Sequence, residues 1–278
     1  MQFADLWTEL IKGLASFTLG NAVMVAVGGV LIILAIVKQY EPVLLLPIGF
    51  GCILANIPLS GMMVGDEGGM FNVLYQAGIA TELFPLLIFV GVGAMIDFSP
   101  LLAQPRMVLL GAAGQFGIFG TLILATWLGF PLNQAASIGV IGAIDGPTAI
   151  FVSSKLAPEL LAPIAVAAYS YMSLIPIIQI PIMGLLTTKE ERRIRMDYAP
   201  KPVSKRALVV FPVAITLVAG LLVPDSVPLV SMLMLGNLLR ESGVVDRLRK
   251  AAENEIINIA TLFLGLTVGA TMSAESFL

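Results

Sequence analysis

Long apolar runs separated by short polar breaks dominate the chain. A bilayer core of about 30 Å needs about 20 apolar residues in a helix, and that length marks the spans. Leu19 to Val37 is a clean one. Val43 to Leu59 is shorter and carries Pro47, and the loop after it holds Asp66, Glu67 and several glycines. Leu83 to Ile96 and Met107 to Leu128 follow. Ala135 to Val152 is apolar at both ends but holds Asp145, Gly146, Pro147 and Thr148, poor helix chemistry that predicts a break. Leu160 to Leu186 contains Pro163, Pro176 and Pro181 and is expected to be kinked. Ala207 to Val223 and Val227 to Leu239 form a hairpin, and Ile256 to Thr271 is the last apolar run. Ahead of the first span, residues 1–17 place Phe3, Leu6, Trp7, Leu10 and Leu14 on one face, the pattern of an interfacial amphipathic helix; Asp5, Glu9 and Lys12 argue against a cleaved signal. The fold class is an all-α polytopic membrane bundle.

Basic loops orient these spans. Lys189 to Arg206 holds seven Lys or Arg and Arg240 to Lys250 four more, so both are expected on the cytoplasmic side with the hairpin between them. Placing Lys38 and Arg106 inside as well leaves the Asp66 loop and the Pro131 loop outside. Leu160 to Leu186 must then run inward, so the Asp145 segment enters and leaves on the outer side, as a re-entrant element does.

Val92-Gly93-Ala94, a short polar turn and Leu101-Leu102 are echoed by Val268-Gly269-Ala270, a polar turn and Phe277-Leu278, an offset of about 176 residues. The inferred path sends the first copy inward and the second outward, an inverted repeat. On this reading residues 40–187 form the first repeat, 188–206 a basic loop, 207–239 a scaffold hairpin and 256–278 the start of a truncated second repeat.

Composition narrows the function. The chain is 58% hydrophobic and 12% charged, with mean hydropathy +0.97, too little polar surface for a water-soluble globule of 278 residues. A net charge of −3 with basic residues confined to loops excludes nucleic-acid binding. With no histidine, imidazole general bases and Ser-His or Cys-His nucleophiles are excluded, and the single cysteine, Cys52, reads as a small buried hydrophobe.

The strongest candidate is Asp145 within Gly142-Ala143-Ile144-Asp145-Gly146-Pro147-Thr148. A carboxylate near the bilayer centre costs at least about 2.5 kcal/mol, which something must offset. Glycine and proline open the backbone, so carbonyls such as that of Gly146 and the Thr148 hydroxyl can join Asp145 in an oxygen cage for a hard monovalent cation. The simpler alternative is a hydrogen-bonded or ion-paired structural aspartate. Tyr171 shares a helix with Ser170, Ser173 and Gln179, a polar stripe expected to face the interior, with Tyr169 pointing elsewhere. A phenol donates a proton without carrying charge in lipid; an ordinary packed tyrosine is the alternative. Asn56 and Gln179 are weaker candidates, most often interhelical links, and Lys155 could pair with Glu159 or Asp145.

Ser137 to Phe151 and Ala167 to Gln179 closely resemble the beta subunit of the biotin-dependent, sodium-translocating decarboxylases (oxaloacetate, methylmalonyl-CoA, glutaconyl-CoA and malonate types), and Gly91 to Leu102 and Gly265 to Phe277 look similar to it as well. The resemblance implies a subunit of a bacterial or archaeal cytoplasmic (inner) membrane. It would decarboxylate carboxybiotin, supplied by a biotin-carrying carboxyltransferase alpha subunit, using an outside proton and exporting Na+. A small membrane gamma subunit joins the complex, and a homo-oligomer is expected. Asp145 then corresponds to the sodium-binding and coupling aspartate, and Tyr171 to the tyrosine of sodium binding and proton supply. Members of the family continue past residue 278 with a segment carrying an asparagine, a serine and an arginine, so a C-terminally incomplete chain, inactive alone, is implied. The rival reading is a secondary carboxylate or cation transporter, coupled to Na+ or H+, that performs no chemistry.

Overall fold

The computed structural model describes residues 11–62, 64, 68–195 and 203–277, with the main chain alone at Ser173 and Pro176. The protein is 82% helical and has no strand among the described residues, an all-α membrane bundle. Three helices are long and apolar enough to cross a membrane, Leu19–Val37, Pro105–Trp127 and Lys205–Leu222; two bent pairs raise the number to five. Most of the interfacial helix expected at residues 1–17 lies outside the described residues, as do Asp66 and Glu67; residues 11–15 are helical.

Helix α1 (Leu19–Val37) starts on a Thr18 capping box and turns back into α2 (Pro42–Ala55), which begins at Pro42 and keeps Pro47 within it. The loop expected before the third span contains a half-length helix, α3 (Met70–Ile79), whose last turn is π-helical; it bends by 57° into α4 (Leu83–Met95). After the short α5 (Ser99–Ala103), α6 (Val108–Trp127) crosses back. Next come α7 (Leu132–Val140), a 3-10 turn at Ile141–Ala143, and α8 (Gly146–Leu156). Helix α9 (Leu161–Leu186) carries the expected kink, 59° between Pro158–Met172 and Ile177–Leu186. The hairpin is α10 (Lys205–Leu222) and α11 (Val227–Ser242). Then α12 (Asp246–Ala251) passes through a π-helical turn, Ala252–Ile256, into α13 (Ile257–Ala270), and α14 (Ala274–Phe277) follows.

Two five-helix runs, α1 to α5 and α10 to α14, therefore share one order, including a π-helical turn before the apolar helix. Their packing repeats as well. A β-carbon on Gly93 would collide with the Leu233 carbonyl and one on Gly236 with that of Val90, which seals α4 to α11; Gly269 meets the Ile48 carbonyl and Gly51 that of Leu266, sealing α13 to α2. Along the second interface contacts progress from Gly265 on Pro47 to Met272 on Asn56, and along the first from Gly236 on Val90 to Arg240 on Met95, so each pair is parallel. Between α4 and α13 the numbers run in opposition: Phe84 stacks on Phe263 at 6.2 Å, and Gly91 abuts Ala252 and Ile257. The two copies of the Val-Gly-Ala motif thus lie on antiparallel helices, as an inverted repeat requires.

The core is formed where the repeats meet. Leu45, Ile48, Ile79, Ile150, Tyr169, Leu264 and Val268 are buried there. One end of the bundle gathers Lys38, Glu41 and the Arg240–Asp97 pair at 3.9 Å. The other holds the Lys155–Glu82 pair at 3.2 Å, so Lys155 meets neither Glu159 nor Asp145.

Candidate functional site

Helices α7 and α8 make a hairpin that returns to its starting side. The Asn133 amide donates to the Leu156 carbonyl at 2.9 Å, and Gln134 donates to Glu159 at 2.9 Å, which clasps the two feet together. An α8 of 11 residues is about 16 Å long, half the apolar thickness of a bilayer. Its tip stops beside the middle of α6, where Gly117 and Gly142 touch backbone to backbone. The feet lie at the Glu82 end, and the tip points toward the Glu41 end.

The tip's conformation follows from its sequence. The 3-10 turn ends at Ile144, held at φ 59, a left-handed conformation costly for a β-branched residue. Asp145 is extended and caps α8: Oδ1 accepts from the Thr148 N–H at 3.3 Å and Oδ2 from the Thr148 hydroxyl at 2.5 Å. Pro147 sits in the first turn, where the N–H it lacks would have had no helical partner. Gly146 leaves room for the Tyr169 ring, into which a β-carbon would run. Asp145 is thus hydrogen-bonded, as the simpler alternative has it. Its carboxylate also borders a cavity of about 290 Å³ together with Glu41, Tyr169, Asn258 and Thr261.

The structure distributes the sequence candidates unevenly. Asp145, Gly146 and Thr148 come together at the tip. Of the two tyrosines it is Tyr169, wholly buried, that borders the cavity; Tyr171 is 36% exposed and lies outside the lining. Residues two apart on a helix project about 200° from each other, so only one can face the tip, and Gly146 gives the space to Tyr169. The Ser173 side chain lies outside the described residues, and Gln179 is exposed on the segment of α9 beyond its kink. Asn56 is buried and fully engaged: its amide donates to the Cys52 and Met272 carbonyls and accepts from Ala274 N–H, which makes it an interhelical link. The sequence pattern does not single out Glu41, Asn258 or Thr261. The only signal for the latter pair is a polar i, i+3 spacing inside an apolar run.

Among the described residues no three His, Cys, Asp or Glu side chains cluster as a multivalent metal would require. Two carboxylates, Asp145 and Glu41, border the cavity beside the neutral oxygens of Tyr169, Asn258 and Thr261.

Comparison with known proteins identifies the family of the chain. The chain matches the family described as the Na+-transporting oxaloacetate decarboxylase beta subunit over residues 20–278. It is 54% identical over 278 residues to the glutaconyl-CoA decarboxylase subunit beta of Acidaminococcus fermentans, covering 99% of this chain and 73% of that one. It is 53% identical over 267 residues to the methylmalonyl-CoA decarboxylase subunit beta of Veillonella parvula, 96% of this chain and 70% of that protein. The oxaloacetate decarboxylase beta chain of Klebsiella pneumoniae is 46% identical over 330 residues, 97% and 76% respectively. A multi-pass helical membrane protein with this extent of likeness belongs to the beta subunit family of the Na+-transporting decarboxylases.

Proposed function

We propose that the protein is the membrane subunit in which decarboxylation of carboxybiotin drives Na+ out of the cell, with Asp145 as the coupling group. The observation that carries this reading is a carboxylate at the tip of a half-length hairpin, bordering a cavity that no lysine or arginine lines among the described residues. At membrane depth a bare carboxylate is costly, and Na+ or a proton can offset that cost. Alternation between the two is what coupling needs: Na+ occupies the site from one side, and a proton arriving from the other displaces it.

The chemistry itself is undemanding. The N–CO2 bond of carboxybiotin breaks, its electron pair stays on the ureido nitrogen, that nitrogen takes the incoming proton and CO2 leaves. Carboxybiotin is a substrate here, delivered by a biotin-carrying alpha subunit with a small gamma subunit as linker, in the cytoplasmic membrane of a bacterium or archaeon. The basic residues at the Lys38 end favour a cytoplasmic position for that end, and the Asp145 cavity then serves as the cytoplasmic access. Tyr171 remains in the proposal as the proton donor on the strength of the family resemblance alone.

The test is Na+ uptake into inverted membrane vesicles carrying the complete complex, with and without the carboxylated biotin donor. Uptake that needs the donor is expected, and Asp145→Asn is expected to lower it by about 100-fold or more while the complex still assembles. Donor-independent uptake would favour a transporter without chemistry, and full uptake in Asp145→Asn would remove Asp145 from the mechanism.

A further inference from the structure

We propose that Thr261, on a helix of the second repeat, supplies a neutral oxygen ligand to the cation neutralising Asp145, so that the ion is held across the junction of the two repeats. The proposal rests on the sodium reading of the cavity and names a residue that reading does not use.

Thr261 is only 6% exposed and borders the cavity that Asp145 faces. Thr126, Thr216 and Thr267 return their hydroxyls to the carbonyls of Leu122, Pro212 and Phe263, at 2.6–2.8 Å, whereas the half-buried Thr121 makes no such bond and borders no cavity with a carboxylate. Among the described residues the Thr261 hydroxyl makes no such bond. Its residue borders the cavity, and the hydroxyl is free to offer its lone pairs there.

Its level in the bundle supports the same role. Ile257, Asn258 and Thr261 share the face of α13 that lines the cavity, and the next residues along it, Leu264 and Val268, are fully buried in apolar core. Opposite, Tyr169 is followed toward the other end of α9 by buried Ala165 and Leu161. Thr261 is therefore the deepest hydroxyl on its wall, at the floor where Asp145 and Tyr169 also stand. At Asp145, Thr148 spends its proton on the carboxylate, so its own oxygen also turns lone pairs outward. A monovalent cation in the cavity meets the Asp145 carboxylate on one wall and the Thr261 hydroxyl on the other, with the Glu41 side chain also on the lining.

The experiment measures the Na+ dependence of decarboxylation in the complete complex. Thr261→Val keeps the shape and removes the oxygen; half-saturating Na+ is expected to rise about 10-fold with the rate at saturating Na+ near wild type. Thr261→Ser keeps the oxygen and is expected within about twofold of wild type, while Thr261→Cys, with a soft sulfur in its place, is expected to follow the valine variant. The cysteine variant decides the matter if the valine variant fails to assemble. Wild-type Na+ dependence in Thr261→Val or Thr261→Cys, or a serine variant as impaired as they are, overturns the proposal. If wild-type turnover ignores Na+, the sodium reading itself has failed; if wild type responds to Na+ and Asp145→Asn does not turn over, failure of the Thr261 series falls on this proposal alone.

Discussion

At the scale of single residues, the two tyrosines of α9 separate packing from proton transfer. Tyr169 lies over Gly146 within the cavity lining, whereas Tyr171 is partly exposed. If proximity to Asp145 decides, Tyr169→Phe lowers turnover by about tenfold and shifts its pH profile, while Tyr171→Phe leaves the profile unchanged; the reverse result would favour the family assignment. The pH–rate profile of both variants reads this directly. Asp145 was legible in the sequence because a lone carboxylate beside glycine and proline, inside an apolar run, suits neither a regular spanning helix nor a water-exposed loop. Thr261 and Tyr169 were not, because which face of an apolar helix looks inward is set by tertiary partners, Gly146 for Tyr169 and the Asp145 tip for Thr261, that the periodicity does not name. Asp97 offers a milder test. Hydrogen bonds from Ser99, the Ser99 N–H at 2.8 Å among them, and the Arg240 guanidinium hold its carboxyl below the ordinary aspartate range. Its contribution to stability is then present above the ordinary value near 4 and lost as pH falls through the lowered one. Asp97→Asn is expected to flatten the acid side of a melting-temperature profile while leaving the neutral plateau nearly unchanged, since the group is mostly exposed.

Among the elements, the breaks at the ends of α4 and α13 are the informative ones. Each leaves a carbonyl without a helical partner, Ile96 and Met272, and each is met by a buried asparagine from the other repeat, Asn237 at 3.0 Å and Asn56 at 2.8 Å. Asn56→Leu strands the Met272 carbonyl and the Ala274 N–H in apolar surroundings and is expected to cost about 1–3 kcal/mol, measured as earlier detergent-induced unfolding. Asn56→Gln should recover little, because the longer side chain cannot satisfy both groups from the same helix position. Most span ends were readable to within a residue or two, since apolar length is a strong signal, but α2 stops four residues before the expected Leu59 and α11 runs three past Leu239. The half-helix α3 was not: its run of Met70–Ile79 is too short to announce itself and takes a π-helical turn that no periodicity describes.

For the molecule as a whole, the contacts prescribe a path that can be checked from outside. Residues near Lys38 and near the feet of the Asp145 hairpin lie at opposite ends of the bundle. The sole cysteine, Cys52, is fully buried and provides a silent background. A membrane-impermeant thiol reagent applied to intact cells is expected to label Leu132→Cys and to spare Gln39→Cys; labelling of both would contradict the path. Sequence parity leads to the same arrangement from loop charges alone, but the pairing of α2 with α13 and α4 with α11 has no counterpart in the hydropathy pattern, from which the α10–α11 hairpin reads as a scaffold outside the repeat. Close backbone approach is encoded by glycines, and glycines in an apolar helix look alike until a partner is known.

That crossed pairing bears on biogenesis. When α2 and α4 leave the ribosome, the helices they fit have not been made; about 140 to 215 residues must still be synthesised before the notches at Gly51 and Gly93 are filled. The nascent first half must therefore wait in lipid with its grooves open, and a chaperone, a translocon chamber or a neighbouring copy of the chain could shelter it until the reciprocal helices arrive.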